Sequence, residues 1–405
     1  MITFYFIALL PVLVGLYFWW KDDQVVWWEW LAGSAIAFVL AALFHAIAIE
    51  SQCHDKEIFS GAIVSAEHHP WWQSRVSVDD YVTTTDSKGN KHRRKVGSHY
   101  EYSDHPEHWA CEADYGTYTG SRMYDIEPDF FQRIADKFCA GKLTTTSPYK
   151  SDFYRGDRHV YVAENKTGYC FPMTTKVSFQ NRIKAAPSLY SYAPVPKDAK
   201  VFEYPSCSDP FQSDRLLGTA ASTMPKRDFD VLCSMVGPMK KVNLIVIGFG
   251  DMDSEIAHLQ EAAWIGGKKN DLVMCYGGKD PKKPSWAYVF GWTDKTLVKA
   301  NLETILLENP VDATILPKIK DEVRKNYEIK QWKDFNYLQV DPPAWSYWVY
   351  VIVLILAQGG FWYWARINEF GKGSCGYVRD HSFPNMVRRF RGFDNFSQFG
   401  GGGFR

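Results

Sequence analysis

Three long runs of apolar residues constrain this chain more than any other feature of its sequence. They cover residues 2–20, 25–49 and 345–367, and tryptophans stand at or near their ends. About 20 residues of helix cross a hydrocarbon core of roughly 30 Å. Inside lipid, every backbone polar group has to be bonded within the segment, which makes each run a helix. We therefore predict three transmembrane helices in contact with a lipid bilayer.

The first run could instead be a cleaved signal peptide. No basic residue precedes it, no small-residue cleavage pattern follows it, and the second run starts four residues later. A signal peptide normally has a basic start and a small-residue cleavage site. The sequence therefore favours a retained helix at the N-terminus.

Basic residues near the third run predict the orientation in the membrane. They are Arg366, Lys372, Arg379, Arg388, Arg389 and Arg391. Because lysine and arginine concentrate on the cytoplasmic side of membrane helices, the basic, glycine-rich tail 368–405 is expected in the cytoplasm. Three crossings then place residues 51–344 outside the cytoplasm.

Seven of the eight cysteines lie in that region, and an odd number cannot all pair within one chain.

The overall charge gives no indication of a nucleic-acid partner. Lysine plus arginine and aspartate plus glutamate number 46 each, and the formal net charge is zero. Proteins that bind nucleic acid concentrate basic charge on one face. We therefore predict no nucleic-acid binding.

Residues 51–204 have the pattern of a β-rich soluble domain. The turn-forming segment 86–90 (DSKGN) separates two strand-like stretches, which is typical of an antiparallel hairpin. Basic residues 88–95 surround its tip, as a solvated loop or as a contact for an anionic lipid or partner. Apolar residues recur at helical spacing over 129–139 and predict a short helix.

Residues 205–344 change to an α/β pattern after a proline-rich connection. Strands are expected at 242–249, 271–276 and 285–292, with helices between and after them. A β-α-β unit followed by a hairpin strand predicts a small sheet covered by helices. The fold class is thus an α+β membrane protein with domains at 1–50, 51–204, 205–344, 345–367 and 368–405.

His105, His108 and Cys111 are the densest set of metal-ligand residue types, and Cys53-His54 could join them. Zinc prefers such ligands, but structural zinc sites more often show paired spacings such as Cys-x-x-Cys. Pro106 and the β-rich context argue against one shared helical face. We therefore prefer a surface loop with a buried Trp109, and keep the metal site as the alternative.

The α/β region resembles the TPM domain, a fold shared by a thylakoid lumen phosphatase, a photosystem repair protein and a receptor accessory protein. The segments that carry the resemblance are VNLIVIGF (242–249), AWIGG (263–267), DLVMCY (271–276), the strand 286–292 and VRKNYEIKQWKDF (323–335). TPM proteins often have a membrane helix and a glycine-rich tail after the domain, as the third run and FGGGGFR (399–405) provide.

The TPM resemblance implies a phosphatase or a divalent-cation site at loops that follow strands. Asp251, Asp253 and Asp271 would supply its carboxylates, and hard cations bind several oxygen ligands. Capping of a helix N-terminus explains Asp251 and Asp253 without a ligand, and we prefer that explanation. An enzyme is thus expected only if this carboxylate site exists.

The whole chain resembles a group of membrane proteins encoded by tailed bacteriophages. The similar segments are DKEIFSGAIVSAE (55–67), VSFQNRIKAAPSLY (177–190) and WIGGKKNDLVMCY (264–276). This group has no settled activity, so the resemblance bears on the architecture and on a phage origin. Three predicted anchors, a tryptophan-rich soluble half and the lack of a convincing catalytic motif favour a multi-pass protein of the host inner membrane whose extracytoplasmic domain binds a membrane or envelope protein, or modifies the host envelope. Small residues at 357–360 (AQGG) also suit close helix contact in a homo-oligomer.

Overall fold

The structure, a computed structural model, divides into two compact units. One is helical and comprises Met1–Gln52 with Gln339–Arg405; the other is Cys53–Leu338. The structure describes residues 3–21, 27–85, 91–117, 119–148, 152–186, 194–207, 209–335, 337–338 and 340–367. The basic tail 368–405 and the hairpin turn 86–90 therefore lie outside the described residues.

Helices and strands are numbered in chain order. The helices are α1 (Thr3–Lys21), α2 (Trp27–Cys53), α3 (Pro128–Cys139), α4 (Arg182–Ala185), α5 (Ala220–Thr223), α6 (Lys226–Lys240), α7 (Glu255–Ala263), α8 (Leu297–Glu308), α9 (Leu316–Asn326) and α10 (Ala344–Ile367). The strands are β1 (His54–His69), β2 (Trp72–Thr85), β3 (Lys91–His105), β4 (His108–Asp114), β5 (Ser121–Asp125), β6 (Thr144–Thr146), β7 (Phe153–Gly156), β8 (Val160–Glu164), β9 (Pro172–Gln180), β10 (Leu216–Gly218), β11 (Asn243–Gly248), β12 (Asp271–Gly277) and β13 (Trp286–Gly291). The mixed α and β composition that the sequence predicts is confirmed.

Two helices of the described chain, not the three that we predicted, are long and apolar enough to cross a membrane. They are α2 and the Ala344–Trp364 part of α10. The apolar part of α1 whose side chains are described, Thr3–Tyr17, is shorter than the roughly 20 residues that a crossing needs. Only 22% of the residues in each apolar window are buried, whereas the core helix of a soluble protein is mostly buried.

The three helices of the helical unit pack on one another through small residues and polar contacts. Gln358 Nε2 donates to the Gly33 carbonyl at 2.8 Å, and Tyr350 Oη donates to the Ala37 carbonyl at 3.3 Å. Trp30 Nε1 donates to the Val12 carbonyl at 3.0 Å, which joins α2 to α1. Small residues allow such close approach of helix backbones. Gly359 and Gly360, which we considered for an oligomer contact, face open space.

The β-rich half is built around the long strand β1. A sheet in the order β5-β4-β1-β8-β6 uses the second part of β1, and β9 pairs with its first part. The predicted helix α3 covers one face, where Phe131, Ile134 and Phe138 are buried. The sheet and α3 therefore form one apolar core.

Strands β2 and β3 form the predicted hairpin. They pair antiparallel from Trp72–His105 to Thr85–Lys91, with one β-bulge at Asp80/Tyr81. The short strand β7 pairs with β2 only at Trp72, Gln73 and Ser74. The hairpin thus continues as a two-stranded ribbon beyond its base.

The α/β half has the predicted β-α-β unit. Its sheet has the order β10-β11-β12-β13, in which β13 alone is antiparallel to its neighbour. Alternate residues of β11 and β12 enter two different cores, one with α6, α8 and α9 and one with α7. Because successive side chains of a strand point to opposite faces, a sheet covered on both faces has continuous apolar strands.

Candidate functional site

The three metal-ligand candidates of the β-rich half diverge in the structure. His105 closes β3, where its ring stacks on Trp72 at 4.0 Å and its Nε2 lies 3.1 Å from Ser74 Oγ. His108 opens β4 and stacks on His69 at 4.4 Å. Cys111 is fully buried in the core of the first sheet. Since residues three apart on a strand point to opposite faces, His108 and Cys111 do not converge.

The segment around these residues is strand and not the surface loop that we preferred. Only Pro106 and Glu107 separate β3 from β4, and Trp109 is half-buried within β4. Burial raises the pKa of the Cys111 thiol to about 12, which disfavours the thiolate that metals bind. Cys53 ends α2 and His54 begins β1, so both lie at the opposite end of this strand from the residues that pair with β4.

The three carboxylates of the α/β half lie at opposite ends of the sheet. Asp251 and Asp253 are exposed and follow the carboxyl end of β11, and Asp271 begins the parallel strand β12. Five residue steps of strand separate the two ends by about 17 Å. Across the described part of the chain, no three His, Cys, Asp or Glu side chains form a group that could hold a metal ion.

Asp271 is instead a buried hydrogen-bond acceptor. Its Oδ1 accepts from Tyr204 Oη at 3.0 Å and from Asn243 Nδ2 at 2.8 Å, and its Oδ2 accepts from the Lys268 backbone N–H at 2.7 Å. Burial raises the pKa of Asp271, and these hydrogen bonds oppose that rise. Asp271 therefore fixes the turn before β12.

Next to Asp271, two ion pairs join the β-rich half to the α/β half. Lys268 Nζ contacts Asp55 Oδ1, and Lys269 Nζ lies 3.1 Å from Glu57 Oε1. The lysines follow a glycine turn in which Gly266 and Gly267 have φ of 76° and 86°, the left-handed region that glycine adopts freely. The Gly-Gly-Lys-Lys segment thus presents its lysines to carboxylates of β1 and leaves neither head free for a phosphate.

Glu57 has a strongly perturbed carboxyl. It is fully buried, and its pKa is raised to about 7. Burial is the largest cause of this rise, the charges of Asp271 and Asp55 contribute to it, and Lys269 opposes it. Because the side chain has no exposed surface, the cluster is a structural junction and offers no access to a ligand.

An open cleft of about 450 Å³ lies elsewhere between the two halves of this unit. Its aromatic lining comes from α3, the segment before β9 and the segment before β10. Phe130 is the central ring, 4.9 Å from Phe211 and 6.0 Å from Phe171. Tyr169 packs on Phe171 at 4.9 Å, and Phe211 is 39% exposed. Binding sites for small groups are concave and mostly apolar, with a few polar side chains.

The start of α6 supplies the charged side chains of the cleft. Arg227 donates to Tyr169 Oη and lies over its ring at 5.1 Å. Within the described ranges Arg227 forms no ion pair with a carboxylate. Lys226 Nζ lies 2.9 Å from Asp214 Oδ1, and both side chains are exposed. The mouth of the cleft therefore carries positive charge beside aromatic rings.

The deeper arginine of the cleft is neutralised. Arg215 is 1% exposed, and its Nη2 lies 3.0 Å from Asp230 Oδ1. Arg215 Nε donates to Ser213 Oγ at 3.1 Å, and Nη1 donates to Ser60 Oγ on β1. Arg215 therefore holds the floor of the cleft together, and Arg227 is the cation at the mouth that forms no ion pair within the described residues, whereas Lys226 is paired with Asp214.

Cys170 lines the cleft but is not an activated nucleophile. Its Sγ lies 3.0 Å from Ser234 Oγ, and burial raises the pKa of the thiol. A reactive cysteine has a lowered pKa and a large thiolate fraction. The cleft thus has the features of a binding site.

The sequence did not indicate the cleft, because its residues come from four separated segments. The aromatic residues around 169–171 and 211 fall outside any periodic element, so no pattern singled them out. Comparisons with protein-family models, with curated proteins and with solved structures found no match to this chain.

Proposed function

We propose that this chain is a membrane-anchored binding protein whose cleft between α3 and α6 receives an acidic segment of a partner protein. The cleft carries the proposal: aromatic rings surround a volume of about 450 Å³, and Arg227 and Lys226 stand at its mouth. An apolar or aromatic side chain next to carboxylates matches both features. Buried aromatic and arginine contacts commonly carry most of the energy of a protein interface.

The membrane part of the proposal has three crossings: α2, α10 and the whole of α1, whose helix has 19 residues from Thr3 to Lys21 and so approaches the length of a crossing. Its support is the exposure of large apolar side chains on the described helices, such as Val39 at 66% and Leu356 at 69%. Burying such side chains in lipid removes the cost of their contact with water. We further propose a host inner-membrane location, an extracytoplasmic unit 53–338 and a phage origin, the last on sequence resemblance alone.

The TPM-like character of residues 205–344 also remains a proposal. The β-α-β unit and the following antiparallel strand are the features that support it. The wide separation of Asp271 from Asp251 and Asp253 gives the phosphatase alternative no shared carboxylate site. We therefore favour binding over catalysis.

A peptide pair tests the cleft. We expect an aromatic residue flanked by aspartates to bind the full-length protein in detergent at least about tenfold more tightly than the same residue flanked by lysines, a difference of about 1.4 kcal/mol. Arg227→Glu should remove this preference. Fluorescence anisotropy of labelled peptides provides the measurement.

Arg324→Glu is the matched control, because Arg324 is an exposed arginine on α9, which contributes no residue to the cleft. It should leave the preference unchanged. Equal affinity for both peptides, or an equal loss in the two variants, would show that the cleft does not select acidic segments.

Thiol labelling tests the topology. We expect a membrane-impermeant maleimide to label Ser103→Cys in sealed spheroplasts of the host. Ser103 is exposed on the unit 53–338, which the proposal places outside the inner membrane. The wild-type protein is the control, since six of its seven described cysteines are buried and the seventh is half-buried. Labelling of Ser103→Cys only after lysis would place the unit in the cytoplasm.

A further inference from the structure

The ribbon of β2 and β3 has a free edge on the β3 side. Among the strands that the structure describes, β3 pairs with β2 alone and is therefore an edge strand of its sheet. Its 15 residues extend over about 50 Å, and every residue except His105 is exposed. An edge of this length is a template for pairing with another strand unless the protein protects it.

Large apolar side chains on this ribbon are also exposed, although Arg75 lies over the Tyr100 ring and Tyr102 packs on Tyr154. Val96, Tyr100 and Tyr102 of β3 are 60%, 55% and 51% exposed. A two-stranded hairpin alone is at best marginally stable in water, and three or more strands are needed for independent stability. β7 supports only the base of this ribbon. A further strand at the β3 edge would therefore stabilise it.

The charges of β3 are arranged so that the strand complements itself. Its first five residues, KHRRK (91–95), are basic or histidine, and its last five, EYSDH (101–105), include two acids. Ser98 is the midpoint of β3. If two copies of β3 pair antiparallel about Ser98, Lys95 faces Glu101, His92 faces Asp104, and Val96 faces Tyr100. Opposite charges and apolar pairs across strands stabilise a sheet, and like charges destabilise it.

Two features of the ribbon bear on this register. The β-bulge leaves Val96 without a partner in β2, and it lies between the charged segments, so residues 91–95 and 101–105 remain regular strand. Lys95 Nζ already lies 2.5 Å from Asp79 Oδ1 of its own ribbon. Glu101 of a second copy would join this exposed pair from the free side.

We propose that a second copy of this chain pairs with the first through β3, antiparallel and centred on Ser98. The result is a continuous sheet across a two-fold axis, in which each copy supplies the same surface. Self-complementary contacts of this kind are typical of two-fold symmetric dimers, and addition of a strand to a free edge is a common mode of recognition. This pairing is independent of the cleft and of its ligand.

Disulfide cross-linking tests the register with the full-length protein in membranes. On the axis, each Ser98 lies opposite its own copy, so Ser98→Cys should give a disulfide-linked dimer on mild oxidation with copper phenanthroline. Ser103→Cys is the matched control: it is an exposed serine of the same strand, but about 34 Å from its copy in this register. We expect a cross-linked dimer for Ser98→Cys and none for Ser103→Cys. No dimer with Ser98→Cys, or equal amounts with both variants, would overturn the proposal.

A charge exchange adds a second measurement in the Ser98→Cys background. Lys95→Glu should reduce the rate of cross-linking roughly tenfold, because it places like charges opposite each other at two symmetric positions. Adding Glu101→Lys should restore the rate, since the exchanged charges again face each other. A rate that Lys95→Glu leaves unchanged, or that the exchange does not restore, contradicts the register.

Discussion

Replacing Asp230 by alanine is expected to lower the free energy of unfolding by about 3–5 kcal/mol, the usual cost of breaking a buried ion pair. Asp230 is the carboxylate that lies 3.0 Å from the buried Arg215 guanidinium. Without it, the hydrogen-bond partners that Arg215 keeps among the described residues are the hydroxyls of Ser213 and Ser60, and its charge stays in a region of low polarity. Thermal or urea unfolding of the full-length protein in mild detergent, followed by tryptophan fluorescence, measures the loss.

Asp228→Ala is the control for this substitution. Asp228 lies on the same helix, α6, but its side chain is exposed, so its loss should change the free energy of unfolding by less than about 0.5 kcal/mol. The double variant Arg215→Met with Asp230→Leu should recover much of the stability, because it removes both buried charges together. An equal effect of Asp228→Ala and Asp230→Ala would contradict the role of Arg215 at the cleft floor.

The parts of the fold that were predicted correctly have strong local signals. The strands β11 and β12 are continuous apolar runs between glycines or acidic turns, and α3 repeats its apolar residues at helical spacing. The hairpin was predicted from its turn residues and from flanking strand-like segments. Each of these patterns is contained within about ten residues, so the helix or strand can be predicted from it without knowledge of tertiary contacts.

The junction and the cleft, by contrast, depend on contacts between residues that are distant in sequence. Lys268 and Asp55 are 213 positions apart, and nothing near either residue indicates the other. His105, His108 and Cys111 were singled out because metal-ligand residue types are dense there, although Pro106 and the β-rich context already argued against a shared helical face; on strands their three-residue spacing diverges. The short strand β10 was missed because three residues give no periodicity.

A pH dependence centred on Glu57 is the second large effect that we expect. The folded protein holds the pKa of this carboxyl at about 7, against an ordinary value of 4.5. Between these two values the folded state binds a proton that the unfolded chain has released. Stability from this group is therefore fully present below pH 4.5 and is lost as the pH rises to about 7. A shift of this size corresponds to about 3 kcal/mol.

The neighbours of Glu57 do not reverse this sign. Burial raises the pKa of Asp271 as well, so it acts in the same direction. Hydrogen bonds and the charge of Lys268 lower the pKa of Asp55 despite its burial, and its contribution is lost only as the pH falls below 3.8, outside the window of Glu57. Unfolding midpoints of the full-length protein, measured from pH 4.5 to 8, should accordingly fall as the pH rises.

Glu57→Gln should flatten this fall, because glutamine does not titrate. The slope with pH is the readout, since the substitution also changes the contact with Lys269 and can therefore shift the stability by a constant amount at every pH. Glu101→Gln, at an exposed position of β3, should keep the wild-type slope. Lys269→Met should move the fall to higher pH, because Lys269 is the charge that lowers the pKa of Glu57. If Glu57→Gln retained the full slope, the titrating group of this window would be another residue.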